Sequence, residues 1–185
     1  MPRFLLSVFF WVLAFFSSAQ AQQSADTKEV ERETFSLINQ YRKANDLPLL
    51  AWDGEIARVA RIHSKEMATG DVNFGHDGFR ERVSHLRSLM PGFWGAGENV
   101  LKTSNPEALA QNAVTLWLHS PHHLENIRGD YIYSGLGVWR DKDGVIYFTQ
   151  IFVKIKPQAP ETEAALPAVN TPFGMLATPD PRAGR

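Results

Sequence analysis

The chain has 185 residues, a formal net charge of −1 and no cysteine. This length fits one domain, and the near-neutral charge argues against binding to nucleic acid or to an acidic membrane. The absence of cysteine excludes disulfides, thiolate nucleophiles and cysteine-ligated zinc, so histidine and carboxylate side chains would have to hold any metal.

Residues 1–21 have the pattern of a secretory signal peptide. Arg3 precedes an apolar run from Phe4 to Phe16, and Ala-Gln-Ala at 19–21 matches the small-residue pattern of a cleavage site. An uncleaved membrane anchor is the alternative, but the run is short for a spanning helix. We therefore expect cleavage after Ala21 and export of a protein without a transmembrane segment, either to a periplasm or to the outside of the cell.

Two amphipathic helices are predicted to follow. Residues 27–45 carry apolar side chains on one face at helical spacing and end before Pro48, which cannot continue a helix. The second helix begins after Asp53, a favourable N-cap, and ends at Gly70. Residues 71–105 are rich in glycine and are predicted to form a long loop, and loops of this length are often functional.

A third helix and a β-hairpin are predicted in the second half of the chain. The helix runs from Pro106 to about His119 and is apolar nearly all round, which predicts burial. Strands over 133–140 and 145–155 flank the turn sequence Asp-Lys-Asp-Gly. Residues 157–185 are rich in proline and alanine and are predicted to form a disordered tail. This order of elements predicts an α+β domain over residues 22–156, in which helices cover an antiparallel sheet.

Histidines are the main candidates for chemistry. His76 lies between two glycines in Phe-Gly-His-Asp-Gly, where the backbone presents its imidazole from a loop. His63 lies on an apolar helix face and is interpreted as an internal, hydrogen-bonded histidine. His119, His122 and His123 form a tight cluster, but neighbouring side chains point apart, so at most two of them can converge.

An acid and a serine are also candidates. Glu98 follows a glycine-rich segment, and its carboxylate could act as a general acid or base, or orient a histidine. The alternative is a structural acid that accepts backbone N–H bonds. The sequence around Ser120 lacks the spacing of a nucleophile elbow, which argues against a serine hydrolase.

Five short motifs occur in order along the chain. They are Phe-Gly-His-Asp-Gly at 74–78, Gly-Glu-Asn-Val at 97–100, Trp-x-x-Ser-Pro-x-His-x-x-Asn-Ile at 117–127, Gly-x-Gly-Val at 135–138 and Tyr-x-x-Gln-x-Phe at 147–152. Together they resemble the CAP superfamily, which includes cysteine-rich secretory proteins, insect antigen 5 and plant pathogenesis-related proteins. The resemblance is closest to the cysteine-free bacterial branch and covers roughly residues 30–154.

The resemblance implies an α-β-α sandwich with a central cleft that typically holds two histidines and two glutamates. By motif, His76, Glu98 and His123 match three of these four positions. Ser120 stands where animal and plant members have the second glutamate, so the set is incomplete. Asn99 completes the expected cleft, and His76 and His123 are the candidate ligands for Zn²⁺ or another divalent cation.

Three functions fit these features. The favoured one is an exported CAP-domain protein that binds a small molecule, lipid, peptide or glycan in its cleft. The second is a metal-assisted, peptidase-like hydrolase in which Glu98 is the base for a metal-bound water. The third is an interaction or signalling module that uses the apolar segment 84–96 as a contact surface, although this segment could also be a lid. Binding is favoured over catalysis because two histidines without the second acid do not define a reaction.

Overall fold

The computed structural model describes residues 26–156. The predicted signal peptide, residues 1–21, and the predicted tail, residues 157–185, lie outside the described residues. The first helix, α1, covers residues 26–44, in agreement with the predicted helix. Its inner face places Ile38 fully in the core.

The end of α1 is fixed by the buried guanidinium of Arg42. Its Nε donates a hydrogen bond to the carbonyl oxygen of Pro48 at 2.7 Å. Its Nη1 donates to the carbonyl oxygens of Ile127 and Gly129 at 2.6 and 3.0 Å. Because these two carbonyls lie 85 and 87 residues further along the chain, Arg42 joins the first helix to a distant part of the fold.

The second helix has the predicted ends. After the short strand β1, Ala51–Trp52, the helix α2 covers Gly54–Thr69. The carboxylate of Asp53 accepts hydrogen bonds from the first backbone N–H groups of α2, at 2.9 and 2.8 Å. Gly70 ends the helix with a φ of 80°, in the left-handed region that glycine adopts without strain.

The predicted long loop over residues 71–105 is wrong for most of its length. This segment contains the helix α3, Phe79–Leu89, and the strand β2, Phe93–Thr103. Phe79, Val83 and Leu86 do have helical spacing, but only Leu86 is fully buried, and the glycines on both sides of this short helix favoured a loop prediction. The strand β2 contains two glycines and depends on pairing with the distant strand β4, Ile146–Ile155.

Two helices cover the next part of the chain. The helix α4, Leu109–Leu118, is shorter than predicted, and the helix α5, Pro121–Arg128, was not predicted. Trp117 is fully buried, but Leu116 is 51% exposed, so the predicted burial of this helix on all sides is wrong. The reason is that α4 packs against one face of the sheet only. Pro121 begins α5, a position that proline favours.

The predicted hairpin is confirmed. The strand β3, Tyr133–Arg140, pairs antiparallel with β4, and the sheet has the strand order β1-β3-β4-β2. β2 pairs antiparallel with β4 and forms one edge of the sheet. The other edge departs from the prediction of a purely antiparallel sheet, because β1 pairs parallel with β3.

A buried cluster on each face of the sheet makes the molecule an α-β-α sandwich, as expected. Helices α2 and α3 cover one face with the cluster Ile56, Val59, Ala60, Leu86, Ile151 and Val153. Helices α1, α4 and α5 cover the other face with a larger cluster that includes Ile38, Trp117, Ile127, Leu136, Phe148 and Phe152. None of the helices within residues 26–156 is long and apolar enough to cross a membrane.

The helix α2 lies directly on the backbone of β3 at Gly135 and Gly137. A Cβ atom at Gly137 would lie 2.1 Å from the backbone nitrogen of Arg61, and one at Gly135 would lie 2.1 Å from that of Ala57. The hydroxyl of Ser64 donates a hydrogen bond to the carbonyl oxygen of Gly137 at 2.9 Å. The Gly-x-Gly motif therefore permits a contact between helix and strand that any side chain would prevent.

Candidate functional site

The predicted acid, Glu98, lies at the middle of the edge strand β2. Its side chain is only 1% exposed. The carboxylate accepts hydrogen bonds from Nδ1 of His76 at 2.9 Å, and from Nε and Nη2 of Arg82 at 2.9 and 2.7 Å. Both carboxylate oxygens therefore have donors, and the buried charge faces a planar guanidinium in a two-point contact.

Arg82 is the central group of the site, and the sequence analysis did not identify it. It projects from α3 and is largely buried, with 10% of its side chain exposed. Besides its two contacts with Glu98, its Nη1 donates to the carbonyl oxygen of Asp77 at 2.8 Å and contacts Nδ1 of His63 at 3.1 Å. This one guanidinium connects α2, α3, β2 and the loop before α3.

His63 contacts both Arg82 and the loop that carries His76. It is fully buried, as predicted for an internal histidine. Its Nε2 lies 2.9 Å from the carbonyl oxygen of Gly75, which accepts, so Nε2 carries the proton and Nδ1 accepts from Arg82. His63 thereby fixes the backbone immediately before His76.

His76 is the accessible member of the site. Its side chain is 53% exposed. Because the oxygen of Glu98 accepts, Nδ1 of His76 carries the proton, and Nε2 keeps a lone pair when the ring is neutral. A histidine that donates one ring N–H to a carboxylate has the arrangement seen in metal ligands.

His123 lies on α5, which contacts the edge strand β2. It lies in the first turn of α5, and its ring packs against Trp117 with 6.4 Å between ring centroids. Burial lowers the pKa of His123, and the charges of His76 and His122 add to this lowering. The backbone carbonyl of His123 accepts a hydrogen bond from the β2 residue Asn99 at 3.1 Å, so both predicted histidines lie on elements that contact β2.

Asn99 links β2 to α5, and its side chain is not exposed at the protein surface. It is fully buried, and its Nδ2 donates to the carbonyl oxygen of His123 at 3.1 Å. Its Oδ1 accepts from Nδ2 of Asn126 at 2.8 Å, and Asn126 also donates to the carbonyl oxygen of Glu98 at 3.1 Å. These contacts give the backbone carbonyl of Glu98, on the unpaired edge of β2, a hydrogen-bond donor. They also join β2 to the helix that carries His123.

Ser120 lies at the N-cap position of α5 and is half-buried. Its hydroxyl makes no capping hydrogen bond to the helix. It lies one helical turn before His123, at the sequence position where the resemblance expects an acid. Among residues 26–156, no group of three or more histidine, aspartate or glutamate side chains is arranged to hold a metal ion.

These features agree with a comparison against known families. The model of the cysteine-rich secretory protein family, CAP, matches residues 35–152. The chain belongs to this family. Its CAP domain is 30% identical over 131 residues to the uncharacterized membrane protein YlbC of Bacillus subtilis strain 168, a match that covers 67% of this chain and 34% of that protein. The chain therefore spans about a third of the length of this curated relative.

Solved structures of two bacterial proteins have the same fold. An extracellular protein of Bacillus anthracis strain Ames that contains an SCP domain is 29% identical, with a TM-score of 0.62, and the match covers 72% of this chain and 43% of that one. An outer surface protein of Borrelia burgdorferi is 22% identical with a TM-score of 0.58, over 70% of this chain and 96% of that one. The second likeness supports the fold alone.

The two candidate histidines of this CAP domain, His76 and His123, are expected to titrate in a fixed order. The hydrogen bond to Glu98 raises the pKa of His76 despite partial burial, whereas burial and the charges of His76 and His122 lower the pKa of His123. As the pH falls, His76 should therefore protonate first, in an NMR titration of the imidazole carbons. The charged form of His76 stabilises the fold below the pKa of an unfolded histidine, and this contribution is lost as the pH rises through the folded pKa.

The Glu98→Gln variant tests the cause of this order. Loss of the carboxylate should move the titration midpoint of His76 down, toward its ordinary value, because its main raising influence is removed. The exposed His119 serves as an internal reference in the same spectra. An unchanged midpoint for His76, or a midpoint of His123 above it in the wild type, would contradict the geometry of the pair.

Proposed function

We propose that this chain is an exported CAP domain that binds a divalent metal ion between His76 and His123 and holds a ligand in the same cleft. The contact of His76 Nδ1 with the buried carboxylate of Glu98 carries the proposal. It fixes the tautomer of an exposed imidazole so that Nε2 is available as a ligand atom. A carboxylate that accepts from the second ring nitrogen of a half-exposed histidine is the arrangement that orients metal-ligating histidines.

The donor set fits a weakly held transition metal. Neutral imidazoles are common ligands of zinc, and no cysteine competes for the ion. Glu98 would act as an outer support, since its oxygens are already engaged by Arg82 and His76. A bound cation would supply a Lewis-acidic centre with open positions. A donor atom of a small molecule, lipid, peptide or glycan could occupy one of these positions.

The same contacts favour binding over hydrolysis. A general base needs a carboxylate oxygen that can approach a water molecule. In Glu98, Oε1 accepts from two donors and Oε2 accepts from Arg82, within a side chain that is almost fully buried. Ser120 adds no acid to the cleft. We infer that Glu98 positions His76 and is not the base of a peptidase.

Export is supported by the chain and by a relative. Residues 1–21 carry the signal pattern described above, and the related SCP-domain protein of Bacillus anthracis is described as extracellular. Many exported domains rely on disulfides for stability, and a domain without cysteine must instead be stabilised by its hydrophobic core. The two buried clusters on the faces of the sheet provide such a core.

Zinc titration of the chain from Gln22 onward tests the metal site. Zinc at about 100 times its dissociation constant should raise the melting temperature by about 5–10 °C, since this excess adds about 2.7 kcal/mol to the folded state. The double variant His76→Ala, His123→Ala should lose the shift. His122→Ala is the matched control, because His122 is the exposed neighbour of His123 and should leave the shift intact.

Two results would overturn the metal proposal. One is a wild-type melting temperature that zinc does not change. The other is an equal shift in the double variant, which would place the ion elsewhere. The hydrolase alternative is checked separately by peptide-library digestion with and without a chelator. Chelator-sensitive cleavage that Glu98→Gln abolishes would reverse the preference for binding.

A further inference from the structure

A β-bulge on the edge strand exposes one tryptophan. In the pairing of β2 with β4, Phe93 is opposite Ile155 and Gly95 is opposite Lys154, so Trp94 has no partner between them. A bulge adds an unpaired residue and redirects its side chain. The indole of Trp94 is 61% exposed, the largest exposure among the big apolar side chains of residues 26–156. Trp94 lies four residues before Glu98 on β2.

The exposed indole borders a small cavity with apolar and basic walls. The cavity has a volume of about 420 Å³ and is lined by Trp94, Asp130, Ile132, Lys154, Ile155 and Lys156. Ile132 is 44% exposed. The Nζ atom of Lys156 lies 4.3 Å from the centre of the Trp94 ring. We refer to Trp94, Ile132, Lys154 and Lys156 as the Trp94 surface.

Positive charge dominates around this surface. Two of the six cavity-lining residues are lysines, and one is acidic. The Nζ atom of Lys154 lies 5.2 Å from the ring centre of Tyr131, and the guanidinium of Arg87 lies 5.3 Å from the ring centre of Phe93. The chain as a whole has a net charge of −1, so this local excess of cations is not visible in its composition.

We propose that the Trp94 surface binds the anionic headgroups of a phospholipid membrane. Tryptophan and lysine side chains have an apolar part and a polar end, and they are favoured where hydrocarbon meets water. Trp94 and Ile132 would enter the interface, while Lys154 and Lys156 contact lipid phosphates. This inference does not rest on the metal site, since it uses other residues at another part of the sheet.

Other occupants fit the surface less well. A second copy of the chain in a two-fold dimer would place the lysines of both copies against each other, which like-charge repulsion disfavours. A neutral polysaccharide could stack on Trp94 but offers no counter-charge to the lysines. An anionic membrane matches both the exposed apolar side chains and the cations.

Sedimentation with lipid vesicles tests the proposal. The chain from Gln22 onward contains the whole described fold. It omits the apolar run from Phe4 to Phe16, which could itself bind lipid and obscure the result. We expect it to sediment with vesicles of phosphatidylcholine plus phosphatidylglycerol, but not with phosphatidylcholine alone. Added salt should weaken the binding, because the lysine–phosphate attraction is screened.

Substitutions locate the surface. Trp94→Ala and Lys156→Glu should each weaken the partition onto anionic vesicles by about tenfold or more. Matched controls lie elsewhere: Leu116→Ala removes an apolar side chain of similar exposure, and Lys142→Glu reverses a charge at the far end of β4. Both controls should bind like the wild type, and all four variants should keep the wild-type melting temperature within a few degrees.

Three outcomes would overturn the proposal. The wild type could show no preference for anionic vesicles. Trp94→Ala and Lys156→Glu could bind as the wild type does, which would place the contact on another surface. The wild type could fail to bind vesicles but bind an insoluble polysaccharide through Trp94, which would make the partner a glycan.

Discussion

Replacing Gly137 with alanine is expected to destabilise the folded protein by about 3 kcal/mol or more. The new methyl group would lie 2.1 Å from the backbone nitrogen and 2.3 Å from the Cα of Arg61. A flexible side chain could turn away, but these atoms belong to the backbone of α2. The helix would have to move off the sheet, and the hydrogen bond from Ser64 to the carbonyl of residue 137 would be lost with it.

Urea denaturation of the wild type and two variants measures this effect. Gly95→Ala is the control, because Gly95 also lies in a strand, but a Cβ there meets no atom within 4 Å. Its free energy of unfolding should stay within about 0.5 kcal/mol of the wild-type value. If Gly137→Ala unfolds at the same urea concentration as Gly95→Ala, the close contact of α2 with β3 is not as described.

The elements that the sequence predicted well are those with local signals. Asp53 and Gly70 bound α2 by chemistry confined to its own first and last turns. The hairpin of β3 and β4 has β-branched and aromatic strands on either side of a turn that residues 141–144 alone can form. Such signals need no knowledge of distant parts of the chain.

The elements that were missed depend on distant partners. β2 contains Gly95 and Gly97, and it becomes a strand because β4 pairs with all of its residues except Trp94. The close approach at Gly97 shows the same dependence, since a Cβ there would lie 2.5 Å from the hydroxyl of Tyr131. The helix α3 buries only Leu86 completely, and seven of its eleven residues are polar or charged, so its short apolar pattern was overlooked between flanking glycines.

The candidate site was predicted in part. Sequence motifs identified His76, Glu98 and His123. In the structure His76 contacts Glu98 on β2, and the carbonyl of His123 accepts from Asn99 on the same strand. Arg82 was missed because its role follows from geometry: a buried carboxylate needs a cation. Three arginines between residues 80 and 87 could have supplied it, and their sequence contains no signal that distinguishes them.

Removing the Arg82 guanidinium should lower the free energy of unfolding and weaken zinc binding. In Arg82→Met, the carboxylate of Glu98 stays buried after it loses two charged hydrogen bonds, and His63 and Asp77 lose a donor. Breaking one side of a buried ion pair costs about 3–5 kcal/mol. We expect a loss of this size in urea denaturation. The zinc-induced rise in melting temperature should also shrink, because Glu98 then no longer holds His76 in one orientation.

Two further variants separate the ion pair from the bulk of the side chain. Arg80→Ala is the control, since Arg80 is an exposed arginine two positions earlier, and its effect should stay within about 0.5 kcal/mol. Adding Glu98→Leu to Arg82→Met should restore part of the lost stability, because it removes the uncompensated buried charge. It should not restore zinc binding, because His76 then has no carboxylate to fix its tautomer. If stability and zinc binding return together, Glu98 does not act through His76.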